Sequence, residues 1–276
     1  MTKGDPRQIG RFASSEIEEL NEMASRLRVD LEEPRQVGWE SNLLGIRAGN
    51  ALISRRTDSR TVFAHDDTPR KQPGYVADKQ ELAEACREIC IVLEIPWSEV
   101  VGPKVLAEMS RVASVGKRGE IETEEEQVVG SVARLERSVD GLPVWSSGLT
   151  LRLADRSRIG FLQAHWPDLP TPVLREASRL ASFVEEGFQP PEAGGAKPES
   201  LEAGIVHSPA AGVLMDVYPA IRVIYAGEQE GVGRKLVLHL DRAGNQLPTP
   251  RQFDLPYEPP KDRSEGGTGE NKANTS

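Results

Sequence analysis

Residues 134–155 read RLERSVDGLPVWSSGLTLRLAD, and the way this stretch folds decides the architecture. Ala133, Leu135, Arg137 and Val139 alternate with their neighbours, as do Leu149, Leu151 and Leu153. Side chains two apart on a strand share a face, so each run offers one buried side and one wet side. Strands of that kind suit an antiparallel sheet covered on one side only. Strands are expected at 132–139 and 149–154. The residues between them, around Gly141 and Pro143, are expected to form the connection, with Trp145 inside it.

The same shape recurs at 221–243, IRVIYAGEQEGVGRKLVLHLDRA, where Ile221, Val223 and Tyr225 are expected to face Leu236, Leu238 and Leu240. A helix precedes each hairpin. Asp78 and Glu81 form a capping box ahead of the apolar stripe Leu82, Cys86, Ile89 and Leu93. Thr171 and Pro172 open a second helix, whose apolar face runs through Leu174, Ala177, Leu180 and Val184. Residues 103–113 have helical spacing, but the repeat requires a strand there, and a partner strand is expected near 211–217. The order helix, strand, strand, strand then occurs twice, about 90 residues apart. This predicts an α+β protein of two tandem helix-on-antiparallel-sheet units, each sheet burying its helix.

The domain reading follows. Residues 1–77 are expected to form an N-terminal extension, with a helix through Ile17, Leu20, Ala24 and Leu27 and strands near 50–56 and 60–66. Residues 78–170 and 171–252 are the two units, and QPPEAGGAKPES at 189–200 reads as a linker. Residues 253–276 are Pro-, Gly-, Glu- and Lys-rich, a composition expected to stay disordered.

The first hairpin, with Gly141, Leu142, Pro143 and Val144 in its turn, resembles the fungalysin/thermolysin propeptide module. The second, closing with Asp241, Gly244 and Asn245, resembles a PepSY domain. The two modules occur in this order in propeptides of thermolysin-like proteases, and the resemblance covers roughly 78–248. It implies cystatin/PepSY-like sheets and the role of a folded binding or inhibitory module. No His-Glu-x-x-His follows, so the protease itself is not implied.

Composition narrows the function. The formal charge of −9 opposes nonspecific nucleic-acid binding and attraction to anionic lipid. No apolar run reaches the ~20 residues of a membrane span, and the N-terminus lacks an apolar signal-peptide core. Cys86 and Cys90 sit one helical turn apart without a second ligand pair, which reads as two buried thiols in a reducing cytoplasm. Neither a metal nor a cofactor is expected. His65, His165, His207 and His239 show no metal-ligand spacing, and no nucleophile or phosphate-loop signature occurs.

The expected function is therefore non-catalytic binding of an unidentified protein partner, as an inhibitor or assembly factor. The expected contact residues lie on the wet strand faces: Arg134, Glu136, Arg152, Arg222 and His239, with Trp145 beside them as an aromatic anchor. The rival reading is a small-molecule enzyme that uses an apolar pocket enclosed by a curved sheet. A ligand-sized pocket holding a His and an Asp would favour the enzyme; a solid core with an exposed sheet face would favour binding.

Overall fold

The computed structural model describes residues 14–29, 35–40, 43–48, 50–56, 60–66, 75–110, 113–115, 121–123, 126–156, 158–193, 195–208, 216–229 and 232–247. The expectations for 1–13, 211–215 and the tail 253–276 lie outside these residues. The chain begins with α1 (Ser14–Arg26), β1 (Arg35–Glu40), β2 (Leu43–Ala48), β3 (Ala51–Arg56) and β4 (Thr61–Asp66). Next come α2 (Lys79–Val92), a short 3-10 turn at Trp97–Glu99, β5 (Val100–Ser110), β6 (Ala113–Val115), β7 (Ile121–Thr123), β8 (Gln127–Val139), β9 (Leu142–Leu153) and β10 (Ile159–His165). The chain continues with α3 (Thr171–Glu185), β11 (Lys197–Ser208), β12 (Asp216–Gln229) and β13 (Val232–Leu240).

Eleven of these strands form one mixed sheet, which corrects the expectation of two separate helix-on-sheet units. The helix–strand–strand–strand order occurs at α3, β11, β12 and β13, whereas after α2 the chain runs β5, β6, β7, β8 and β9, with β6 and β7 paired in a small sheet of their own. Hydrogen bonding nevertheless joins both groups, and β10 links them to β4, β3, β2 and β1. Sequence periodicity marks the face of a strand. It does not mark where a sheet stops, because any unpaired edge can accept another strand.

The join lies in β9. Along β8, Glu136 pairs with Gly148 while its neighbour Arg137 pairs with Val144, so Trp145, Ser146 and Ser147 bulge out of the ladder. On its opposite edge β9 meets two strands. Its second half, from Gly148 to Leu153, pairs antiparallel with β10. Its first half meets β11 in a parallel contact between Val144 and Ile205. The sheet therefore forks at the bulge, and a bulge is a device that bends a strand and redirects pairing.

The hairpin turn also differs from expectation. Asp140 and Gly141 have φ of 52° and 82°, the left-handed pair of a two-residue hairpin turn. Strand β9 consequently restarts at Leu142, and Pro143 and Trp145 lie within it rather than in a connection.

One row of paired residues crosses the sheet: Leu135, Leu149, Ala164, Val62, Arg55 and Leu44. This row faces the helices. Leu82, Cys86, Ile89 and Cys90 of α2 and Leu20 and Ala24 of α1 share one core cluster with its apolar members. Arg55 of the row forms an ion pair with Glu19 of α1. Val139, two residues along β8 from Arg137 and on the same face as Leu135, packs in the α3 cluster with Ala177. Across the fork that cluster continues into Leu180, Ile221, Val223 and Tyr225. All three described α-helices thus cover one face of the sheet, and none of the described helices covers the other.

Local signals account for the helices. Asp78 caps α2, its carboxylate accepting from the Glu81 backbone N–H at 2.8 Å. The Glu81 carboxylate accepts from the Tyr75 hydroxyl at 2.6 Å instead of closing the capping box. Cys86 and Cys90 are free, buried thiols of this helix, and burial pushes them up to about 12 and about 11. Residues 103–110, where helical spacing competed with the repeat, are strand.

Candidate functional site at the sheet fork

The bulge gathers polar side chains that are far apart in sequence. The Ser146 hydroxyl accepts from the His207 backbone N–H at 2.7 Å. Ser147 Oγ lies 3.2 Å from His207 Nε2. The His207 ring meets the His165 ring edge-on, with centroids 5.3 Å apart. Thr61 Oγ1 lies 2.7 Å from His165 Nδ1. His207 is 2% exposed, and burial lowers it to about 3; His165 is lowered to about 4, mainly by burial, with Arg137 adding to the effect. Both rings are therefore neutral at pH 7.

Arg137 closes the helix-covered side of this group. Its Nε bonds Glu99 Oε2 at 2.8 Å, its Nη1 donates to the Pro167 carbonyl at 2.6 Å, and its guanidinium lies 5.2 Å from the Trp166 ring. The Trp166 indole donates to the same Glu99 oxygen at 3.0 Å. Burial lowers the Arg137 pKa, and Glu99 opposes that shift. This network ties the 3-10 turn before β5 to the segment after β10, and removing Glu99 would leave the buried Arg137 charge uncompensated.

The serine–histidine pair lacks the third member of a nucleophile system. His207 Nδ1 has no hydrogen-bond partner among the described residues, so no carboxylate orients the ring as a base. Among the described residues no group of three His, Cys, Asp or Glu could hold a metal ion.

On the helix-free side of the fork, Trp145 packs over β11. A Cβ on Gly204 would lie 2.5 Å from the Pro143 carbonyl and 2.9 Å from the Trp145 ring, so only glycine admits this approach. Arg222 stacks over the same indole at 4.8 Å, and His239 sits beside it at 5.1 Å between centroids. Arg222 also forms an ion pair with Glu202.

The structure places all six expected contact residues on the helix-free face. It brings Trp145, Arg222 and His239 together. Arg134 is exposed, Glu136 pairs with Lys104 at 2.7 Å, and Arg152 pairs with Glu108 at 3.1 Å. His239 departs from expectation in being buried, 6% exposed; burial lowers it to about 4, and Arg222 reinforces the shift. Sequence reading did not find the Ser147–His207–His165 group or the Arg137–Glu99–Trp166 network. The first depends on the fork and the second on β8, the turn before β5 and the segment after β10 coming together, and no local pattern announces either.

A row on the same face runs Leu106, Val132, Arg152, Phe161, His65, Leu52 and Arg47. Phe63 meets Phe161 edge-on at 5.6 Å beside it. On the helix side, a cleft of about 310 Å³ opens between α1 and the end of α2. Glu19, Glu22, Arg26, Arg55 and Arg60 rim it over Met23, Val62 and Trp166, and no His lines it. Among the described residues no helix is long and apolar enough to cross a membrane.

No family model and no curated protein matches the chain. A crystal structure of an uncharacterized protein from Eubacterium rectale ATCC 33656 aligns over 87% of this chain and 83% of its own, at 12% identity and a TM-score of 0.45. A likeness that weak transfers neither fold nor function.

Proposed function

We propose that the chain is a non-catalytic protein-binding module, an inhibitor or assembly factor, that engages its partner with the helix-free face of the sheet. One observation carries this reading: the three described helices lie on one side, and the opposite side carries Arg134, Arg152, Phe161, Leu52 and Arg47 on neighbouring strands. Aromatic and Arg side chains are enriched at protein interfaces, and mixed charge fits a protein better than a phosphate backbone. The inhibitor or assembly role rests on the sequence resemblance of the two hairpins to propeptide modules, not on the tandem architecture that the single sheet replaces. The rival enzyme reading would use the cleft beside α1, which lies at the small end of ligand pockets and combines carboxylates and guanidiniums without a His.

The test is in-cell crosslinking of wild type, Arg134→Glu and Trp145→Ala, with unfolding curves alongside. Arg134 is exposed, so its reversal should leave unfolding unchanged while the crosslinked partner is lost. A partner retained by both folded variants would refute the assigned surface. Turnover of a small molecule, with no partner crosslinked to wild type, would replace the binding reading with the enzyme one.

A further inference from the structure

Strand β5 ends the sheet on the side away from the fork, and among the described strands it pairs only with β8. Its surroundings are unusually apolar for an edge. Val101, Leu106, Met109 and neighbouring Val128 are 44%, 56%, 50% and 46% exposed. Natural edge strands are normally short, charged or covered, because an open edge invites pairing. This one is eleven residues long, and between its register shifts at Val101/Lys104 and Glu108/Met109 a regular stretch from Lys104 to Glu108 has an open edge among the described strands, with one charge at each end.

The charges on that edge are arranged symmetrically about Leu106. Lys104 and Glu108 lie two residues to either side, on the helix-free face that Leu106 shares. In an antiparallel pair of two β5 strands with a two-fold axis at Leu106, each Lys104 meets Glu108 of the other copy. Leu106 meets its own equivalent, and Val105 meets Ala107. Directly opposed side chains in such a pair are ~5 Å apart, within ion-pair reach. Within one chain Glu108 already bonds Arg152 and Lys104 already bonds Glu136. The two-fold would join these pairs into an alternating run: Arg152, Glu108, then Lys104 and Glu136 of the second copy, repeated in reverse on the other side of the axis.

We infer that β5 is a homodimerisation edge, with a second copy of this chain pairing antiparallel in the register that opposes Lys104 and Glu108. The contact is isologous and closes on itself, so it gives a dimer and not a filament. It extends the sheet from the edge and leaves the helix-free face open, so it does not depend on the partner proposed above.

The experiment uses the full chain in sedimentation velocity across concentrations up to about 100 μM, a range suited to a micromolar dimer. Wild type should form a species of twice the 30.3 kDa chain mass. Lys104→Glu and Glu108→Lys each place two like-charge pairs across the axis, and each alone should weaken dimerisation about tenfold or more. Mixed together they restore both opposite pairs, so the mixture should dimerise as wild type does. Neither variant regains its own intrachain ion pair on mixing, so rescue reports the register between copies. In a further variant, Leu106→Cys, oxidation should crosslink the two copies through the introduced thiols, since Cys86 and Cys90 are buried. A wild type that stays monomeric, single variants that dimerise normally, a mixture without rescue, or a Leu106→Cys chain that yields no disulfide-linked pair would each overturn the inference.

Discussion

Hairpins β8–β9 and β12–β13 look alike in sequence and differ in place. Each alternates apolar and polar residues, and each follows a helix it packs against. The first lies inside the sheet, where Leu149, Leu151 and Leu153 are 1%, 0% and 5% exposed. The second ends the sheet, where Leu236 and Val237 are 46% and 40% exposed. Their registers match in logic: Leu135 opposes Leu149, and Val223 opposes Leu238. Alternation therefore decides which residues share a face, while neighbouring elements decide whether that face is buried.

The difference has energetic consequences that can be measured. Leu151→Ala should cost about 2–5 kcal/mol in equilibrium unfolding, because it removes a fully buried side chain beneath α2. A cost below ~1 kcal/mol would show that the first hairpin is not the core strand pair described. Gly204→Val should follow at about 1–3 kcal/mol, since its side chain would enter the space of Pro143 and Trp145 at the fork. An unchanged midpoint would mean that β11 does not approach β9 so closely.

Acid should act through the fork more than through the outer hairpin's exposed residues. His165 and His207 titrate near 4 and near 3 when folded, below the value of about 6.5 for a free imidazole. A base held neutral by folding leaves stability intact above pH ~6.5. That stability is lost as pH falls toward the folded values, at about 1.4 kcal/mol per pH unit for each ring. Replacing His207 with Phe should flatten the slope between pH 6 and 4; an unchanged slope would remove His207 from the account. The smallest effect belongs to the outer edge. Leu236→Ala should change stability by less than about 1 kcal/mol, measured by denaturant midpoint at constant m-value.

Local elements were legible in the sequence, while the single-sheet architecture was hidden for physical reasons. The helix stripes and the pairing of Ile221, Val223 and Tyr225 with Leu240, Leu238 and Leu236 follow from period and turn chemistry. The Asp140-Gly141 turn was available as a two-residue hairpin signal, and weighting Pro143 over it moved Trp145 out of its strand. Strand β11 was obscured because its first residues, Lys197 to Ser200, carry a Pro and a register shift and resemble a linker. The fork was not legible at all. A three-residue mismatch exists only relative to a partner strand, and His165 and His207 become neighbours only after β10 and β11 converge on β9.

The central claim is that both hairpins belong to one sheet, joined at Trp145–Ser147. Native-state hydrogen exchange on the intact chain, with increasing denaturant below the unfolding transition, tests it most directly. The account predicts that the amides of Leu149 and Leu151 and those of Ile221 and Val223 converge on a common opening free energy. Loss of protection across β11–β13 at a distinctly lower free energy, while β8–β10 stay protected, would contradict it and restore two independent units.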